Sequence, residues 1–173
     1  LRQQEAAALA DGTGLSSYDA LLKDYEPDGS TVEISKMFDA LRSPLVALRS
    51  AVLERPPAPE LEGQFDPQLQ LKMSQELAEC FGYNMASGRI DRAVHPFCSG
   101  TGADVRITTR TDPSDPLGCF YSTIHEVGHG NYEQNIDQSY AFTPIGHGCS
   151  MGVHESQSRI FENQLGRSEA LTS

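Results

Sequence analysis

Apolar positions along this chain recur mostly at the three-and-four spacing of helices, interrupted once by a short stretch of alternation. "SSYDALLKDYEP" opens on Ser16 and Ser17, either of which can cap a helix, and stops before Pro27. In "DGSTVEISKMFDALRSPLVALRSAVLER" the residues Val32, Ile34, Phe38, Leu41, Leu45, Leu48 and Val52 form a helical stripe. Ser30 or Thr31 can cap it, and with Ser30 as the cap Glu33 is placed to complete a capping box. Pro44 is expected to kink this helix or split it in two, because it lacks the N–H the helix needs there. "RPPAPELEGQ" (55–64) is a Pro-rich break joining two helices.

The next segment, "DPQLQLKMSQELAECFGYN", starts on Asp66 as cap with Pro67 at the first helical position, and closes near Gly82 or Gly88. Residues 88–116 are rich in Gly, Thr, Asp and Pro. Val105, Ile107 and Thr109 alternate there, which predicts one short strand around 103–110 set among loops. The helical pattern returns from Leu117 to about Asn135, and a Gly- and Pro-interrupted loop leads to a last helix, "VHESQSRIFENQL". The expected fold is mainly α, with that strand region as its β part.

Composition narrows the reading. At 173 residues the chain is one domain's worth of sequence or a piece of a longer one, and residues 1–173 are read as a single domain. Its 38% apolar and 21% charged residues permit a packed core. A net charge of −11, from 24 acidic against 13 basic residues, argues against nucleic acid or an anionic membrane as partner. No apolar run is long enough to span a bilayer, and "LRQQEAAALADG" lacks the apolar core of a signal peptide. Both ends read as cuts, with no starting Met and an abrupt stop at "GRSEALTS". Cys80, Cys98, Cys119 and Cys149 are scattered and form no CxxC, so they read as intracellular thiols and imply a cytoplasmic setting.

The chemistry lies in "YSTIHEVGHGNYEQN" (121–135). His125 and His129, four apart on a helix, can aim both imidazoles at one point, the spacing of two zinc ligands. Glu126 is turned about 100° away, too far to join them easily but near enough to act on water as a general base. Gly128 and Gly130 are each unfavourable in a helix interior by about 1 kcal/mol, and fit if something packs closely against them. A third ligand is needed. The metzincin extension would require Gly and His where Tyr132 and Asn135 stand, so that class fails. "GVHESQSRIFEN" supplies Glu155, with His154 and Glu162 as rivals; Glu155 and Glu162 share roughly one helical face, and one of them can serve as the carboxylate that orients a ligating imidazole. His95 and His147 read as ordinary loop residues.

Taken together and in order, "HPFCSG", "DVRITTR", "STIHEVGHGNYEQN" and "GVHESQSRIFEN" resemble the carboxypeptidase Taq family of metallocarboxypeptidases, and "SYDALLKDYEPDGSTVEI" resembles its upstream segment. The resemblance covers nearly the whole chain but only the central part of a family member. It implies a zincin-like HExxH helix bundle that removes single residues from peptide C-termini, with zinc, or alternatively cobalt, bound. It implies His125, His129 and Glu155 as metal ligands and Glu126 as general base, leaving Glu162 an orienting or structural role. It places 104–110 along the groove for a peptide substrate with a free C-terminus, with Arg106 and Arg110 as candidates to contact that substrate, and it implies a homodimer. Thr111 departs from the Tyr that commonly follows "DVRITTR", and the later residues that hold the substrate carboxylate in the family have no counterpart here. Two other readings stand beside it: a broader zincin metallopeptidase, and a metal-binding fragment that turns nothing over.

Overall fold

The computed structural model describes residues 1–59 and 61–172, which fall into two compact units, Leu1–Glu60 and Leu61–Ser173. The first unit is helical: α1 (Arg2–Ala10), α2 (Ser17–Leu22) and α3 (Thr31–Leu53). The caps of α2 and α3 are among those the sequence predicts, whereas α1 has no side-chain cap and is not among the predicted helices. Ser16 accepts from the Asp19 amide at 3.0 Å, and Ser30 accepts from the Glu33 amide at 3.3 Å while donating to the Glu33 carboxylate at 2.8 Å. The Asp19 carboxylate accepts from both the amide and the hydroxyl of Thr31, at 2.7 and 2.6 Å, which ties α2 to the start of α3. Those hydrogen bonds hold the Asp19 carboxyl below its ordinary range.

Pro44 does not split α3, which runs unbroken through it. The carbonyl of Ala40 that loses its partner lies on an exposed turn, where water can replace the missing N–H. No residue of α3 is buried, and its apolar stripe is open to solvent, with Phe38 57% and Leu45 54% exposed.

The second unit builds a small sheet against helices. α4 (Pro67–Cys80) is capped by Asp66, which accepts from the Gln68 amide at 2.8 Å, and it ends just before Gly82, whose φ of +91° suits glycine. Three strands follow: β1 (Gly88–Arg92), β2 (Cys98–Thr101) and β3 (Asp104–Thr109). β3 lies in the middle, parallel to β1 and antiparallel to β2, in register Ile90 to Ile107 and Cys98 to Ile107. The single strand expected around 103–110 is therefore the centre of a three-stranded sheet. β1 and β2 escaped notice because each is an edge strand with little apolar alternation; only Ile90 of β1 is buried.

α5 (Pro116–Gln134) packs on β3 and α4, and α6 (Met151–Arg159) packs on α5 before continuing into a π-helical turn, Ile160–Leu165. A last short helix, α7 (Glu169–Thr172), follows. Asp115 caps α5, accepting from Gly118 at 2.8 Å, with Pro116 in the first turn. The core joins Ala78 of α4, Tyr83, Ile90 of β1, Ile107 of β3 and Val127 of α5. The Tyr83 hydroxyl donates to the Val105 carbonyl and accepts from the Arg89 amide at 3.1 Å, so it serves both strands. Beside this core, the buried Thr123 hydroxyl lies 2.8 Å from that of Thr109 and 3.1 Å from that of Ser74, linking α5 to β3 and α4.

The two unfavourable glycines of α5 are contact points. A Cβ at Gly130 would sit 2.8 Å from the Tyr83 ring, and one at Gly128 would sit 2.5 Å from the Ser158 Cα of α6. The second neighbour is backbone and cannot swing away. Gly128→Ala is expected to destabilise the protein by about 1–3 kcal/mol through overpacking, outweighing the roughly 1 kcal/mol that alanine gains in helix propensity. A lower urea midpoint at unchanged slope will show it; an unchanged or raised midpoint will mean that α6 can retreat without cost.

Candidate metal centre

α5 presents His125 and His129 on one face, their rings 4.9 Å apart and nearly perpendicular. α6 crosses that face at the Gly128–Ser158 contact and brings Glu155 opposite them. Glu155 Oε2 lies 3.6 Å from His125 Nε2 and 3.2 Å from His129 Nε2. Among the described residues these three form the one group whose ligand atoms all lie within 4.8 Å of one another. Two ligands at about 2.0–2.1 Å from a tetrahedral zinc are about 3.3–3.4 Å apart. The two separations from Glu155 bracket that value and all three ligand atoms lie within 4.8 Å of one another, so the donor set of two imidazole nitrogens and one carboxylate oxygen suits a zinc-sized cation.

Neighbouring residues hold these groups in place. His125 Nδ1 lies 3.0 Å from Glu162 Oε2; an ionised carboxylate only accepts, so Nδ1 is the donor, and in the neutral ring that leaves Nε2 with its lone pair. Glu162 is in turn gripped by Arg167 at 3.0 Å and Arg159 at 3.2 Å. Although burial opposes it, those hydrogen bonds keep the Glu162 carboxyl below its ordinary range. Arg159 Nε also takes Glu155 Oε1 at 2.9 Å, which leaves Oε2 turned to the histidines. The π turn carries Glu162, and such turns recur at functional sites because they re-aim side chains. Burial, followed by the nearby His154 and His125, pushes His129 down to about 4, so at neutral pH its ring is uncharged.

Glu126 points elsewhere, as its place in the helical turn requires. It is 7% exposed and lines, with His125, a cavity of about 510 Å³ that also takes in His95, Arg110, Tyr121 and Arg159. Burial first and the charge of Glu155 second push its carboxyl up to about 7.

The sequence profile described as Carboxypeptidase Taq (M32) metallopeptidase matches residues 1–173. The chain belongs to this family. Carboxypeptidase 1 of Bacillus subtilis (strain 168) is 38% identical over 156 residues, 88% of this chain and 31% of that protein. Thermostable carboxypeptidase 1 of Thermus thermophilus is 39% identical over 155 residues, 87% of this chain and 30% of that protein. The crystal structure of M32 carboxypeptidase from Deinococcus radiodurans R1 superposes with a TM-score of 0.87 at 37% identity, covering 98% of this chain and 34% of that one. A structure of Pyrococcus furiosus carboxypeptidase superposes with a TM-score of 0.80 at 36% identity, covering 96% of this chain and 34% of that one. The chain thus spans about a third of the length of the M32 relatives it matches, and the mainly helical carboxypeptidase fold expected from the sequence is the fold observed.

The remaining candidates part company. Arg110 lines the cavity beside Glu126. Arg106 does not; its guanidinium is engaged by Asp104 at 2.6 Å and lines a separate hollow with Arg89. His95, read from sequence as an ordinary loop residue, lines the cavity with Arg110, whereas His147 lies in another hollow. Sequence reading passed over Arg159, Arg167 and Tyr121. Arg159 was findable, since it stands four residues after Glu155 and three before Glu162 on one helix. Arg167 stacks over Tyr121 at 3.8 Å, a contact between distant segments that carries no local signal. Among the described residues no helix is long and apolar enough to cross a membrane.

Proposed function

We propose that this chain is the metal-holding part of a metal-dependent carboxypeptidase that releases single residues from the free C-termini of peptides. The observation that carries the reading is the convergence of His125, His129 and Glu155 within 4.8 Å beside the cavity that Glu126 lines. The three would hold zinc, with cobalt as the alternative metal. When bound, such a cation polarises a carbonyl and makes water more acidic. Glu126, at the edge of the cavity, takes the proton of the attacking water and returns it to the departing amine. Burial and the neighbouring Glu155 raise its basicity for that task. Arg159 fixes which oxygen of Glu155 faces the histidines.

Arg110 is the better candidate than Arg106 to meet the peptide's terminal carboxylate, because it faces the cavity while Arg106 is paired. The enzyme is proposed to be cytoplasmic and homodimeric. Four free cysteines support the first and the uncovered stripe of α3 supports the second.

An N-blocked dipeptide with a free C-terminus, and the same compound as its C-terminal amide, test the reading on protein loaded with zinc. Cleavage of the acid alone is expected. Equal cleavage of both would instead indicate a broader metallopeptidase, and neither, with one equivalent of zinc bound, a metal-binding segment without turnover.

A further inference from the structure

His129 differs from His125 in what stands behind it. No carboxylate touches its Nδ1. Instead Nδ1 lies 2.6 Å from Nδ1 of His154, and His154 Nε2 lies 2.6 Å from Glu133 Oε1. One proton must sit in each gap, and the carboxylate fixes where. An ionised Glu133 only accepts, so His154 carries its proton on Nε2 and, as a neutral ring, has a bare Nδ1. That bare nitrogen can only accept, so His129 must donate from Nδ1, which leaves its Nε2 free toward Glu155 Oε2 at 3.2 Å.

We propose that His154 and Glu133 are a positioning pair that sets the tautomer and the aim of His129. The inference rests on the reading of His129 as a metal ligand. The pair does through an intermediate imidazole what Glu162 does directly for His125.

The surroundings enforce the arrangement. The Tyr132 ring packs on His154 with centroids 4.7 Å apart and planes inclined by 39°, and the His129 ring packs at 4.7 Å on the same imidazole. At Gly148 a Cβ would come within 2.9 Å of His154 Cδ2, so the backbone there closes over the ring. His154 and Glu133 are both partly buried, their side chains 21% and 25% exposed. A reversed chain, with His154 donating to His129, would put a proton on His129 Nε2 and block it. With the one proton of a neutral His154 ring held in the hydrogen bond to Glu133, Nδ1 has none to give and that reversal is excluded.

The test uses two replacements of His154 and one of Glu133. His154→Phe keeps a ring against Tyr132 and supplies no acceptor. His154→Asn supplies an amide oxygen close to where Nδ1 stood, an acceptor in either protonation context. Zinc affinity is read by competition with a chromophoric chelator. His154→Phe is expected to lose roughly 10–100-fold, the usual effect of removing the partner of a ligating histidine, while His154→Asn stays near wild type. Glu133→Gln, which can donate as well as accept, is expected to weaken binding alone but to add nothing to His154→Asn. A purely structural role would leave the affinity of folded His154→Phe unchanged.

Long-range proton–nitrogen NMR on metal-free wild type, at a pH where both rings are neutral, gives an answer even if a variant fails to fold. Protonation of His129 at Nδ1 and His154 at Nε2 supports the pair. Protonation of His129 at Nε2, or a His154→Phe protein that binds zinc as tightly as wild type, overturns it. Absence of zinc binding by wild type with the expected tautomers would overturn the ligand assignment and leave the orienting pair standing.

Discussion

Glu155→Ala is expected to abolish stoichiometric metal binding, while Glu162→Ala keeps one equivalent at reduced affinity. Glu155 offers Oε2 to both imidazoles at 3.6 and 3.2 Å, so its removal takes away one of three donors. Glu162 reaches the far nitrogen of His125 and can only orient it. Loss of an orienting partner typically costs about 10–100-fold in affinity, and loss of a donor should exceed about 100-fold. Metal content after exhaustive dialysis, beside chelator competition, separates the two. Equal retention by both variants would remove Glu155 from the ligand set. Loss only in Glu162→Ala would exchange the roles of the two carboxylates.

Glu126→Gln is expected to lower kcat on an N-blocked dipeptide by about 10²–10⁴-fold while metal binding stays intact. The amide has nearly the carboxylate's shape but cannot take a proton from water. Its place one residue after His125 turns it into the cavity and away from the point where Glu155 meets the histidines. Metal content and kcat measured on the same sample decide the matter. A fall in activity that merely tracks lost metal would make Glu126 a structural neighbour; unchanged kcat would assign the base elsewhere, with His95, which lines the same cavity, the first residue to examine.

Much of this was legible from local rules. Ser16, Ser30 and Asp66 cap helices because a side-chain oxygen before an apolar period has one evident use. Helical spacing alone puts His125 and His129 on one face and turns Glu126 away from it toward the cavity. What sequence could not rank, the rival claims of Glu155, Glu162 and His154, depends on how α6 crosses α5. At that crossing Gly128 meets the backbone of Ser158, a contact between segments that the sequence pattern does not pair. The missed strands, β1 and β2, owe their conformation to pairing with β3 more than to their own residues. Glu133 was invisible for a similar reason: it gains its part only when the loop through Gly148 folds His154 back onto α5. Of the two outcomes expected at Pro44, the split does not occur, and the turn it interrupts is exposed to water.

The π-helical turn at Ile160–Leu165 bears on how this chain can be compared with its relatives. Such a turn holds one residue more than the α turn it interrupts, so everything beyond it is rotated by about 100° from the course of the unbroken helix. The Gly166 amide closes the turn on the Phe161 carbonyl at 2.7 Å, and only after that offset does Arg167 reach back to Glu162 and over Tyr121. Insertions and deletions are therefore not equivalent along the chain. One residue gained or lost between α5 and α6, away from Gly148, changes the length of a connection without turning either helix. One gained or lost within 160–165 re-indexes the helix, so a gap placed there when relatives are aligned states a different geometry around the candidate metal centre.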